Sequence, residues 1–114
     1  MEREAVIVSA VRTAVGSFGG SLRGWSIRDL GGAVIKEALA RAGVDPGIVD
    51  EVIMGNVNPP ASCLNVGKEA ALQAGIPVHV PGFTVNRLCG SSLQAINIAT
   101  MMIGSEMADV VVAG

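Results

Sequence analysis

The stretch Phe83–Ile96, FTVNRLCGSSLQAI, decides the fold and raises the functional question. Phe83 to Leu88 reads as an extended, largely apolar strand. At Cys89 the pattern changes, and a helix is expected from about Gly90 to Met107. A cysteine therefore stands where a strand hands over to a helix. The first backbone N–H groups of a helix lack internal partners, and the macrodipole adds partial positive charge there. Both favour a thiolate, and the same N–H groups suit an oxyanion formed when sulfur attacks a carbonyl. Gly90 permits close approach of a substrate. This is a setting for acyl transfer with Cys89 as nucleophile. A buried structural cysteine gives the same local pattern, and these residues alone leave both readings open.

Working outward, strands and helices alternate. Ala5–Val11, AVIVSAV, is expected as a first strand buried on both faces. The glycine-rich GSFGGSLRGW follows as a loop. It lacks G-x-G-x-x-G spacing and is read as a connection rather than a dinucleotide site. Ser26 is a candidate N-cap, with Asp29 completing an approximate capping box. Ile27, Leu30, Val34, Ala38 and Leu39 keep helical spacing until Gly43. A second strand lies within Val49–Val57 and a second helix over about Leu64–Gln73. A last strand covers Asp109–Ala113. The order predicts an α/β fold with a mostly parallel sheet.

Two features ask for more protein. Leu93, Ile96, Ile98, Ala99, Met101, Met102 and Ile103 surround the third helix instead of forming a stripe, so it is expected to be buried on all sides, between two sheets. The chain also stops at Gly114 directly after an all-apolar strand, which adds to the expectation of a missing remainder.

Bulk composition narrows the classes. The 114 residues are 50% hydrophobic and 16% charged, with a net charge of −2. That is apolar for a free monomer and points to protein contacts, not to nucleic acid or a membrane surface. No apolar run approaches the ~20 residues of a membrane span, and the N-terminus has no signal-peptide character. Cys63 and Cys89 with one histidine are too few for a zinc site, and no metal is expected. Two reduced thiols in a cytosolic protein are the simpler expectation for the cysteines, a disulfide being open from sequence. Cys63, in a proline-rich loop, is read as a small hydrophobe. His79, in IPVHVPG, precedes the third strand while Cys89 follows it. That strand spans roughly 20 Å at ~3.3 Å per residue, so His79 is read as a loop histidine and not as the base.

Four blocks, VIVSAVRTAVGSFGGSL, VDEVIMGNV, VNRLCGSSLQAI and ADVVVAG, together resemble the N-terminal part of the thiolases (acetyl-CoA acetyltransferase and 3-ketoacyl-CoA thiolase). The resemblance covers the whole chain, residues 1–114. It implies part of the N-terminal half of a five-layer αβαβα fold, with the helix after the cysteine in the central layer. It implies that Cys89 carries the acyl group as a thioester, with its backbone N–H in an oxyanion hole and Gly90–Ser92 forming the first turn behind it. Coenzyme A thioesters would be the substrates, with no bound cofactor. The activating histidine, a second cysteine and the loop domain that grips CoA would lie in the remainder, on a second chain or a missing segment. A homo-oligomer, dimer or tetramer, in the cytoplasm and in fatty acid metabolism is implied as well. Ser92 stands where many members have glycine, Ala14 where proline is frequent, and NPPASC precedes NVGKEA where an asparagine-proline-alanine-arginine run is usual. The alternatives are a non-catalytic truncated fragment, dimerising at most through its third strand, and a related condensing enzyme such as a ketoacyl synthase.

Overall fold

A computed structural model describes residues 3–114. Its elements are α1 (Ile27–Ala42), a 3-10 turn (Pro46–Ile48), β1 (Glu51–Gly55), α2 (Val66–Gln73), β2 (Gly82–Val85), α3 (Ser91–Gly104) and β3 (Val111–Ala113). The start of α1 follows from its residues. The Ser26 hydroxyl accepts the Asp29 N–H, and the Asp29 carboxylate reaches back to the Ser26 N–H, which satisfies two otherwise orphan donors. Gly43, at φ 66°, ends the helix in the left-handed region.

The three strands form a parallel sheet in the order β2-β1-β3. Val52 pairs with Gly82 on one side and Val112 on the other, and Ile53 with Phe83 and Ala113. Successive strand residues point to opposite faces. Val52 accordingly packs with Ile35, Leu39, Ala70, Ala71 and Val80 under α1 and α2. Ile53 packs with Ala95 and Ala99 of α3 on the other face. Both are fully buried, as the central strand of a parallel sheet should be.

One expectation changes. Residues 5–11 do not form the expected strand. Val6, Ile7 and Val8 are all exposed. β-branched residues favour an extended chain, but a strand exists only where a neighbour completes its hydrogen-bond ladder. Here an apolar cavity of about 510 Å³ separates the segment from Val110–Gly114 and from α1 and α3. For α3, the expectation of burial between two sheets involves protein outside these residues and is not tested by them. The sheet-facing side of the helix buries Ala95 and Ala99, but Leu93, Ile96 and Met101 are exposed. Within these residues the helix is covered on one side, and its remaining apolar surface is bare. Most other boundaries shift by one to three residues; β2 stops at Val85 because the chain turns there.

Asp50 ties the last connection to the sheet. Its carboxylate accepts the N–H groups of Asp109 at 2.7 Å and Val110 at 3.0 Å. The Val110 bond, then the Asp109 bond, holds this carboxyl below its ordinary value, with burial opposing weakly. A lowered folded-state value means that the stabilisation is present above the unfolded value, near ~3.9, and is lost as pH falls through the folded one. Asp50→Asn is therefore expected to lower the denaturant midpoint at pH 7, with the gap to the parent chain closing below about pH 4. A gap independent of pH would show that the charge is not what matters.

Candidate active site

The C-terminal ends of β1 and β2 and the start of α3 meet at Cys89. β2 ends at Val85, and residues 86–90 make a tight turn before the helix. Leu88 occupies the left-handed region at φ 49°. For a leucine this costs roughly 1–2 kcal/mol, so other contacts must hold it. Two side chains do so. The Asn86 Oδ1 accepts the Leu88 N–H at 2.9 Å, while its Nδ2 donates to the Val57 carbonyl at 3.3 Å. From the helix side, the buried Ser91 hydroxyl donates to the Leu88 carbonyl at 2.6 Å and accepts the Arg87 N–H at 2.9 Å. Backbone bonds from Gly90 to Arg87 and from Ser91 to Leu88 close the turn.

The backbone N–H groups of Arg87, Leu88, Gly90 and Ser91 are thus all engaged. Among the described residues, none of these bonds uses the Cys89 N–H. The Cys89 thiol is exposed. Gly90 is the N-cap residue of α3, and no side chain caps the helix. The sulfur therefore stands in the open beside an unspent N–H and an uncapped helix terminus, the arrangement an attacking thiolate and a developing oxyanion need.

β1 abuts this turn from below. A Cβ on Gly55 would stand 2.6 Å from the Ser92 nitrogen and 2.8 Å from the Ser91 Cβ. Only a glycine at the end of β1 lets α3 begin where it does. Neither Gly55 nor the clamping roles of Asn86 and Ser91 were anticipated from sequence. The composition of a turn shows which residues can bond their own backbone, not which bonds they select.

The other sequence candidates are elsewhere. His79 is exposed in the loop before β2, at the opposite end of that strand from Cys89. Lys68 pins this loop by donating to the Val78 and Val80 carbonyls, both at 2.6 Å. Cys63 is buried, as expected of a small hydrophobe. Burial pushes its thiol up, and Glu69 pushes it further through a hydrogen bond and its charge, against the opposing pull of Arg28. Both cysteines are free thiols. Among the described residues no group of three or more metal-ligating side chains stands together, and no helix is long and apolar enough to cross a membrane.

The contrast predicts selective chemistry. Under native conditions at near-neutral pH, iodoacetamide should modify Cys89 at least about tenfold faster than Cys63, since reactivity follows exposure and thiolate fraction. Peptide mass spectrometry after a time course checks this. Equal rates would mean that the Cys89 turn is not presented as described.

Comparison with known proteins identifies the family and the fold. Residues 5–114 match the family description "Thiolase, N-terminal domain". The acetyl-CoA acetyltransferase of Cupriavidus necator is 51% identical over 111 residues, which cover 97% of this chain and 28% of that protein. The crystal structure of the Bacillus anthracis acetyl-CoA acetyltransferase superposes with a TM-score of 0.96 at 42% identity, over 99% of this chain and 29% of that one. The Acat5 thiolase of Ascaris suum, solved in complex with coenzyme A, gives 0.94 at 33% identity, over 97% and 29%. The chain thus spans less than a third of the length of these relatives. With a parallel sheet, a cysteine at the β2–α3 turn and this likeness along nearly its whole length, the chain belongs to the thiolase family.

Proposed function

We propose that this chain supplies the acyl-carrying cysteine of a thiolase-type acyltransferase working on coenzyme A thioesters. The observation that carries the reading is the exposed Cys89 thiol beside its own unspent N–H. The Cys89 thiolate attacks the thioester carbonyl of an acyl-CoA, and its own N–H donates to the oxygen that becomes negative. The carbonyl–sulfur bond to CoA then breaks, and the departing CoA thiolate takes a proton. The products are an acyl-Cys89 thioester and free CoA. In one direction the acyl group passes to the enolate of acetyl-CoA, giving a 3-ketoacyl-CoA. In the other, a 3-ketoacyl-CoA is cleaved, and CoA collects the acyl group.

The base that deprotonates Cys89, the second proton carrier and the CoA-gripping segment belong, in this reading, to the remainder of the protein. The bare face of α3 is a surface that such a remainder would cover. A homo-oligomeric cytoplasmic enzyme with no bound cofactor completes the proposal. It is tested by incubating the full-length protein that contains these residues with acetyl-CoA. An acetyl group on the peptide carrying Cys89, removable by free CoA, is expected. Acetylation elsewhere, or none, overturns it.

One observation favours the second reading for the 114 residues taken alone, a fold without turnover: the single histidine is at the far end of β2.

A further inference from the structure

We propose that Ser91 and Asn86 are positioning residues for Cys89, holding Leu88 in its left-handed conformation so that the nucleophile's N–H stays unspent and its thiol faces outward. The inference rests on the acyl-cysteine reading above and adds to it residues that touch neither sulfur nor substrate.

Leu88 is the residue immediately before the cysteine, and its backbone sets the direction in which Cys89 leaves the strand. A leucine leaves this conformation unless its neighbours hold it. The grip comes from both sides. Asn86 takes the Leu88 N–H, and Ser91 takes the Leu88 carbonyl. Ser91 simultaneously accepts the Arg87 N–H, so one hydroxyl binds the peptide groups on either side of Arg87–Leu88. Ser91 is itself fixed: it is buried, and its backbone rests against Gly55 with no room for even a methyl group between them. Without the clamp the turn relaxes towards ordinary helical geometry. The Cys89 N–H then finds an internal carbonyl and is no longer available to an oxyanion. Ser91 also explains why a helix with an uncapped N-terminus begins at a fixed place: its side chain bonds backward into the turn instead of capping the helix.

The test uses the full-length protein containing these residues and reads acyl transfer and Cys89 acetylation together. Ser91→Ala is expected to lower kcat and the rate of Cys89 acetylation about 100-fold, with KM for the acyl-CoA nearly unchanged, as misplacing a reacting atom by about 1 Å does. Ser105→Ala is the control. It removes a similar hydroxyl-to-carbonyl bond, to Met101, at the other end of the same helix, and should leave kcat and acetylation unchanged. A decrease of less than fivefold in Ser91→Ala, or an equal loss in Ser105→Ala, overturns the proposal. Should Ser91→Ala fail to fold, Asn86→Ala decides on the same fivefold criterion, since Asn86 is exposed and its loss leaves the core intact. The two readings fail separately. If the parent protein is never acetylated at Cys89, the acyl-cysteine reading falls; if it is, and the variants acetylate equally fast, only the positioning roles fall.

Discussion

Replacing Cys89 by alanine in the full-length protein should reduce acyl transfer by at least about 10⁴-fold, the scale on which loss of a covalent nucleophile acts. In the acyl-cysteine reading proposed above, the acyl-enzyme needs this sulfur. Cys63 is buried beneath Arg28 and Glu69, with its thiol held in the neutral form. Stability should hardly change, by about 0.5 kcal/mol or less, because Cys89 is exposed and contributes no packed side chain to either core cluster. Loss of activity with an unchanged denaturant midpoint is the expected pair of results. Retained turnover would remove the nucleophile assignment. The 114 residues alone should not cleave acetoacetyl-CoA at a measurable rate. Turnover by a verified 114-residue chain would bring His79 back as a base.

The largest structural effect is expected at Gly67, not at the nucleophile. Gly67 lies in the first turn of α2, where alanine would normally favour the helix by up to about 1 kcal/mol. Here a Cβ would overlap the Phe83 carbonyl oxygen and stand 2.7 Å from its carbon, both backbone atoms of β2. Backbone cannot rotate away as a side chain can. The same contact is tightened by hydrogen bonds. The Gly67 N–H donates to the Thr84 hydroxyl at 3.1 Å, that hydroxyl donates to Asn65 Oδ1 at 2.9 Å, and Asn65 Nδ2 donates to the Gly82 carbonyl at 2.9 Å. Gly67→Ala must push α2 off β2 and break part of this network. A loss of about 3 kcal/mol is expected, the upper range for overpacking, with the helix-propensity gain submerged in it. Chemical denaturation measures it. Since β2 leads into the Cys89 turn, Cys89 modification by iodoacetamide should change as well. A variant as stable as the parent would mean that α2 and β2 are not in this close contact.

The alternation of strands and helices, the capping box at Ser26 and Asp29, and the end of α1 at Gly43 were all legible in the sequence. Each depends on residues within a few positions of one another, and local hydrogen bonding and periodicity are written directly into residue order. The strand-to-helix change at Cys89 was legible for the same reason. The position of His79 was too, because the length of an extended segment fixes how far apart its ends are.

Residues 5–11 show where that reading stops. Their composition is as strand-like as that of β1, yet among the described residues β1 has partners on both sides and they have none. A strand is a property of a pair, and the partner is not encoded in the segment. The apolar surround of α3 likewise states that the helix has more surface to cover than one sheet offers, and the structure shows which half is covered. The site divides in the same way. The immediate neighbours of Cys89 placed it at a helix start but left a nucleophile and a structural cysteine both open, and only the resemblance along the whole chain favoured the nucleophile. Only the tertiary structure decided that its N–H is unspent, that Ser91 and Asn86 grip Leu88 from opposite sides, and that Gly55 sets where α3 begins. Those facts depend on which of several possible hydrogen bonds a folded turn makes, and on how closely β1 approaches it, and both are fixed only once the sheet has assembled.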